Sequence, residues 1–188
     1  MIINLLFLSI VSAQPQGSQV ENGNATFKST NTSTLNITAS NNTIINFRSF
    51  DITKNETVNI ILPSNAANLL IRDTSNTESH ILGSLFSNGD VILTNPNGIY
   101  FGPSAKGKVY NLIASSLEIS SNEFISENYF FEHRKNTPYG QVSNEGTITA
   151  KNLVLQGSSV NNSGDIKNLL EAINKKTTGR IKGVGQKL

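Results

Sequence analysis

"SNGDVILTNPNGIYFGPSAKG", Ser87 to Gly107, decides how this chain is read. The apolar strand Val91-Ile92-Leu93 runs into Asn95-Pro96-Asn97-Gly98, and a second strand, Ile99-Tyr100-Phe101, runs into Gly102-Pro103. Two turns this close together leave room only for very short strands. Pro96 fixes its own φ, suits the first central position of a turn and holds Asn95 extended. Asn97 tolerates unusual backbone angles, and Gly98 closes the turn. Turn chemistry alone accounts for this much of the motif.

Outward from this stretch the same rhythm holds. Leu35 and Ile37 alternate with Asn36 and Thr38, Ile45 and Phe47 flank Asn46, and Val58 and Ile60 flank Asn59. Period two marks half-buried strands, and "TASNNT" and "DITKNE" between them are turn-forming. "NEGTI" at Asn144–Ile148 returns as "NSGDI" at Asn162–Ile166, eighteen residues on, and "NGDVI" at Asn88–Ile92 has a similar character. Repeats near twenty residues predict the coils of a β-solenoid, with Ile, Val and Leu inside and Asn and Thr in ladders at the corners. The one helical pattern is Asn168–Asn174, with Leu169, Leu170 and Ile173 on one face.

The chain has 188 residues and no cysteine, which excludes disulfides, thiolate zinc sites and a cysteine nucleophile. Residues 1–166 carry nine Lys/Arg against twelve Asp/Glu, whereas residues 167–188 carry six against one. The tail is read as a solvated, poorly ordered end or a short helix rather than a nucleic-acid contact. At the amino terminus, the apolar run Leu5–Val11 and the small residues Ser12 and Ala13 match a secretory signal peptide cleaved after Ala13, although no basic residue precedes the run. The run is too short for a stable membrane span. The expected organisation is a signal peptide over residues 1–13, a β domain over 14–166 and a basic tail over 167–188.

Three blocks, "IINFRSFDITKNETVNIILPS" (Ile44–Ser64), "HILGSLFSNGDVILTNPNGIYFG" (His80–Gly102) and "NLIASSLEIS" (Asn111–Ser120), together resemble the amino-terminal secretion domain of filamentous-haemagglutinin-type exoproteins. This is the two-partner secretion domain, also called the haemagglutination activity domain. Their order and spacing agree with that family from about Asn24 to Ile166. The resemblance implies an all-β, right-handed parallel β-helix with an amino-terminal cap and extra-helical hairpins. It also implies export through the periplasm, recognition by an outer-membrane β-barrel transporter bearing POTRA domains, and a final location secreted from, or on the surface of, a Gram-negative bacterium. Carried over by position, the recognition and turn motif is Ser87, Asn88 and Gly89 with Asn95, Pro96, Asn97, Gly98 and Ile99. The family core blocks are Ile45, Asn46, Phe47, Ser49 and Phe50, and Leu112, Ile113, Ala114 and Ser115. A second motif of the "NPNL" type is absent, which points to the adhesin-type branch. Members of the family run on for hundreds of residues, so the end at Leu188 gives the expectation of a truncated adhesin gene as an alternative.

An enzyme would need carboxylates clustered on one face. Asp51, Asp73, Asp90 and Asp165 stand singly, and the adjacent Arg72 and Asp73 point to opposite faces of a strand. His80 and His133 lie far apart without metal-ligand spacing. The expectation is therefore no catalysis, no cofactor and no metal. The sequons at Asn24, Asn31, Asn36, Asn41, Asn55 and Asn161 are read as chance in an Asn-, Ser- and Thr-rich chain. "NYFFEHRKNTPYG" (Asn128–Gly140) has two readings. In one, Phe130 or Phe131 covers a side or end of the solenoid; in the other, an exposed hairpin contacts the transporter. For the whole chain the expected function is a secretion domain recognised by its transporter. The alternatives are an adhesin fragment that binds host cell surfaces or glycans, and a β-helical glycan-active enzyme.

Overall fold

The structure, a computed structural model, describes residues 14–169. The expected signal peptide and the tail beyond Leu169 lie outside the described residues. Within them the chain winds into a right-handed parallel β-helix, as the resemblance implied. Its coils contribute short strands to three sheets, of six, four and seven strands. In spatial order the first sheet holds Gln19–Asn22, Thr43–Phe47, Asn68–Asp73, Asp90–Thr94, Asn111–Ser115 and Asn152–Gln156. The second holds Val160–Asn162, Val142–Asn144, Ile99–Phe101 and Ser79–Ile81. The third runs from Asp165–Asn168 through Thr147–Ala150, Lys106–Lys108, Ser84–Ser87, Thr57–Ile61 and Thr34–Ala39 to Ala25–Asn31.

Register turns the sequence alternation into columns. Leu35, Val58, Leu85, Gly107, Ile148 and Ile166 stack directly on one another in the third sheet. Ile45, Ile71, Leu93, Ala114 and Leu155 do the same in the first. Both columns point inward and, with Phe47, Phe50 and Phe101, form one continuous apolar core. Burying each such aliphatic side chain stabilises the fold by about 1.5–3 kcal/mol.

The eighteen-residue repeat is one coil. Asn144 pairs with Asn162 and Ile148 with Ile166, and the Asn144 amide donates to Asn162 Oδ1 at 2.7 Å. Asn88, grouped with them by its neighbours, instead lies at the corner between the third and first sheets, not the one between the second and third. A ladder runs along the edge of the first sheet: Asn152 donates to Asn111 at 2.8 Å, and Asn111 to Asp90 at 2.7 Å. The last strand continues through Asn168, two residues beyond the expected edge at Ile166.

The amino-terminal end is closed by chain of opposite direction. Gln19–Asn22 pairs antiparallel with Thr43–Phe47, Ala25–Asn31 antiparallel with Thr34–Ala39, and Gln16 bridges to Ser49. This is the expected cap, and its reversed strands pair onto the first and third sheets.

One insertion leaves the coil between Ser115 and Val142. It forms a small hairpin, Glu118–Ile119 against Phe131–Glu132, around a short helix, Ser121–Ile125. Sequence periodicity gave no sign of this helix and placed one at Asn168–Asn174. Of that segment Asn168 is in a strand, Leu169 is helical, and residues 170–174 lie outside the described residues. The insertion exists because the first sheet is apolar on its outer face too: Ile44, Leu70, Ile92, Ile113 and Val154 stack in register there. Ile119 and Phe124 of the insertion bury Ile44, Leu70 and Ile92, with Tyr129 and Phe131 packed alongside. Of the two aromatics considered as a cover, Phe131 packs on the side of the solenoid and Phe130 is 60% exposed.

Candidate functional site

The Asn95-Pro96-Asn97-Gly98 turn sits between coils rather than on an open loop. Its backbone closes with a bond from Gly98 N to Asn95 O at 2.9 Å. The positive φ falls on Gly98, at 115°, while Asn97 is not among the positive-φ residues. The tolerance of Asn97 for unusual angles is not drawn on: Asn95 Oδ1 accepts from Asn97 N at 2.9 Å and holds Asn97 in an ordinary turn conformation.

Every polar group of the Asn95 side chain is spent inside the protein. Asn95 is fully buried, and its amide donates to Thr77 O and to Ser79 Oγ, both at 2.9 Å. Ser79 Oγ in turn donates to Asp73 Oδ2 at 2.5 Å, and the same oxygen accepts from Phe50 N at 2.9 Å. Asp73 Oδ1 accepts from Ser75 N, and Asn97 donates to Ser75 O, both at 2.8 Å. From the other side, Asn95 N donates to Ser115 O at 3.1 Å, and Gly140 N donates to Pro96 O at 2.8 Å. A Cβ on Gly140 would lie 2.2 Å from the Asn97 carbonyl, so only glycine permits this contact. One buried polar chain therefore joins four coils, from Phe50 through Asp73, Ser79 and Asn95 to Ser115.

This network unites residues that the sequence placed in separate blocks. Phe50 belongs to the first, Asn95 to Ile99 to the second and Ser115 to the third. Ile99, Ile45, Phe47, Phe50, Leu112 and Ala114 point into the core, while Ile113 faces outward beneath the insertion. Ser87-Asn88-Gly89 stands apart. There the Asn88 side chain accepts from Leu62 N and donates to Leu62 O, both at 2.8 Å, imitating a strand partner. Ser87 Oγ accepts from Gly89 N at 3.1 Å. The sequence offered Asp73 only as a lone carboxylate and did not point to Ser79. The signal available was Asp73 at a strand end followed by "TSNTES", a run of turn-capping side chains.

A second polar cluster lies where the cap, the first sheet and the insertion meet, around a cleft of about 550 Å³. Arg72 points outward, opposite to the buried Asp73, as alternation required. It pairs with Glu21 of the cap at 2.6 Å and donates to Ile119 O at 3.0 Å and Ser121 Oγ at 3.2 Å. Asn46 donates to Glu21 at 2.9 Å, and Ser121 Oγ also donates to Glu21. The Ser121 hydroxyl is the largest cause holding the Glu21 carboxyl below the ordinary range, helped by Asn46 and Arg72. Arg134 and Glu118 pair at 3.4 Å on the insertion side. Asn46 and Ser49 thus serve the cap: Asn46 through Glu21, Ser49 through its bridge to Gln16.

The remaining ionisable groups are dispersed. Asp51 and Glu78 flank His80 at 3.8 and 3.6 Å on the outer face of the second sheet. Asp90 belongs to the asparagine ladder, and burial pushes its carboxyl up. Asp165 lies in the last strand, and His133 stacks on Tyr139 in the insertion with ring centres 5.1 Å apart. Among the described residues no three His, Asp or Glu gather to ligate a metal, and no helix is long and apolar enough to cross a membrane.

Comparison with known proteins adds the family context. A family model described as the TPS secretion domain matches residues 11–177. A heme/hemopexin-binding protein of Haemophilus influenzae strain Rd is 35% identical over 159 residues, which cover 81% of this chain and 18% of that protein. A second heme/hemopexin-binding protein of Haemophilus influenzae is 29% identical over 154 residues, covering 77% of this chain and 16% of its own length. The chain thus spans less than a fifth of these curated relatives. The crystal structure of the HMW1 secretion domain from Haemophilus influenzae superposes with a TM-score of 0.79 at 36% identity, covering 82% of this chain and 42% of that one.

Proposed function

The chain belongs to the TPS secretion domain family, and on that premise we propose that it directs export of an adhesin-type exoprotein by binding a partner transporter in the outer membrane. The transporter is read as a β-barrel carrying periplasmic POTRA domains, and the route as one through the periplasm to the surface of a Gram-negative bacterium. The observation that carries this reading is the extent of the likeness: cap, coils and insertion together fall within residues 11–177, which the TPS secretion domain model matches, and the HMW1 secretion domain covers 82% of the chain. The buried network around Asn95 supports a structural part for the "NPNG" motif in that role. It ties four coils together, so that any surface the transporter reads is held in fixed register. Heme or hemopexin binding is not part of the proposal, because the relatives named for it are more than five times longer than the segment they share with this chain.

Co-expression with a cognate outer-membrane transporter tests the reading. The chain should reach the medium when the transporter is present and stay in the periplasm when it is absent. Equal export in both strains would refute it.

A further inference from the structure

We propose that the insertion between Ser115 and Val142 is the surface that docks the transporter, with Phe130 as its anchor. This rests on the transporter reading above and names the part of the molecule that carries it. The apolar pattern of the insertion is split between two sides. Tyr129 and Phe131 pack on the outer cluster of the first sheet. Phe130, between them, is 60% exposed, the most exposed large apolar side chain among the described residues. Ile125 and Tyr139, also in the insertion, are 42% and 39% exposed. Exposed aromatics on a rigid support are the usual anchors of protein interfaces.

The backbone is held in an uncommon shape to achieve this. Glu127, Tyr129 and Asn136 have φ of 56°, 43° and 66°, and they are three of the four non-glycine residues with positive φ among those described. Such conformations persist only where surrounding packing enforces them, and they concentrate at binding sites. Here Phe124, fully buried beneath the hairpin, supplies that packing.

Charge specifies the partner. From residue 118 to residue 140 the insertion carries Glu118, Glu123, Glu127 and Glu132 against Arg134 and Lys135. Glu118 is paired with Arg134, and Glu123 accepts from Asn128. Glu127 and Glu132, on either side of Phe130, form no ion pair among the described residues. The complementary surface is an apolar pocket rimmed by Lys or Arg on the periplasmic region of the transporter.

Binding of the full chain to the purified periplasmic region of that transporter decides the matter. Phe130→Glu should weaken binding at least tenfold while leaving the melting temperature unchanged, because the side chain touches solvent. Glu132→Lys should weaken it several-fold at low salt and less at high salt. Ile61→Ser, which removes a side chain 48% exposed on another sheet, should have no effect. Wild-type affinity in both insertion variants would overturn this assignment but leave the transporter reading intact. No binding by the wild-type chain would overturn both. A wild-type dimer that Phe130→Glu converts to a monomer would identify the occupant as a second copy and overturn the assignment.

Discussion

Asn95 shows how much one side chain can organise. Its carboxamide answers Thr77 O, Ser79 Oγ and Asn97 N at once. Asn95→Ala would leave those groups buried and unpaired, a loss of about 3 kcal/mol, to be read as a lower urea midpoint. Asn97→Leu removes the bond to Ser75 O and a longer one to Asn95 Oδ1 at 3.3 Å, at a half-exposed position where water can replace them, and should cost about 1 kcal/mol. Two carboxyls shape the pH response in opposite directions. Glu21 is held below the ordinary range, so its contribution is present above that range and is lost as pH falls through its lowered value. Asp90 is raised by burial, so the folded state binds its proton more tightly than the unfolded chain does. Stability from Asp90 is therefore full below the ordinary carboxylate range and is lost as pH rises through the raised value. Asp90→Asn, which keeps the acceptor for Asn111, should raise stability at neutral pH. Glu21→Gln should remove part of the acid sensitivity; urea unfolding between pH 3 and 7 checks both. The turn-forming character of Asn95 and Gly98 was legible in the sequence. The burial of Asn95 was not, because its partners Thr77 and Ser79 lie one coil earlier and only register brings them beneath it.

At the scale of elements the insertion separates what periodicity reveals from what it conceals. Strands Thr34–Ala39 and Thr57–Ile61 follow plain alternation, and the eighteen-residue repeat places the last coil correctly. The helix Ser121–Ile125 is too short to show a helical period. Its signal was local: Ser120 followed three residues later by Glu123, the start of a capping box, and Ser120 Oγ does accept from Glu123 N at 3.2 Å. Nor did the sequence announce the outer apolar column. Ile44-Ile45 and Leu69-Leu70-Ile71 are runs buried on both faces, and such runs signal a covering layer without saying which segment supplies it. Phe124 is the main attachment of that layer. Phe124→Ala should destabilise the insertion by about 3–5 kcal/mol. Trypsin should then cut after Arg134 or Lys135 far sooner than in the wild type, while the coils stay intact. Unchanged proteolysis would mean that the hairpin is held by something other than this cluster.

Across the whole molecule, the reversed cap, the stacked columns and the bridging networks make one continuous unit from Gln14 to Asn168. Arg72 bonds at once to the cap through Glu21 and to the insertion through Ile119 and Ser121, so the first and fourth coils are fastened across the outer face. Many corners are built from asparagine, glycine or proline, as at Asn88-Gly89, Asn95-Pro96-Asn97-Gly98 and Gly102-Pro103, and that grammar was open to reading. The chemistry of export was not, since no catalytic or metal-binding constellation announces it; family likeness and surface shape carry it instead. The central claim is that this chain acts as an address read by a transporter. The most direct test fuses the full chain to the amino terminus of a reporter enzyme and measures reporter activity in the medium, with and without the transporter. The account predicts release only with the transporter, falling at least tenfold with Phe130→Glu. Release that ignores the transporter, or a reporter kept in the periplasm despite it, would contradict the account.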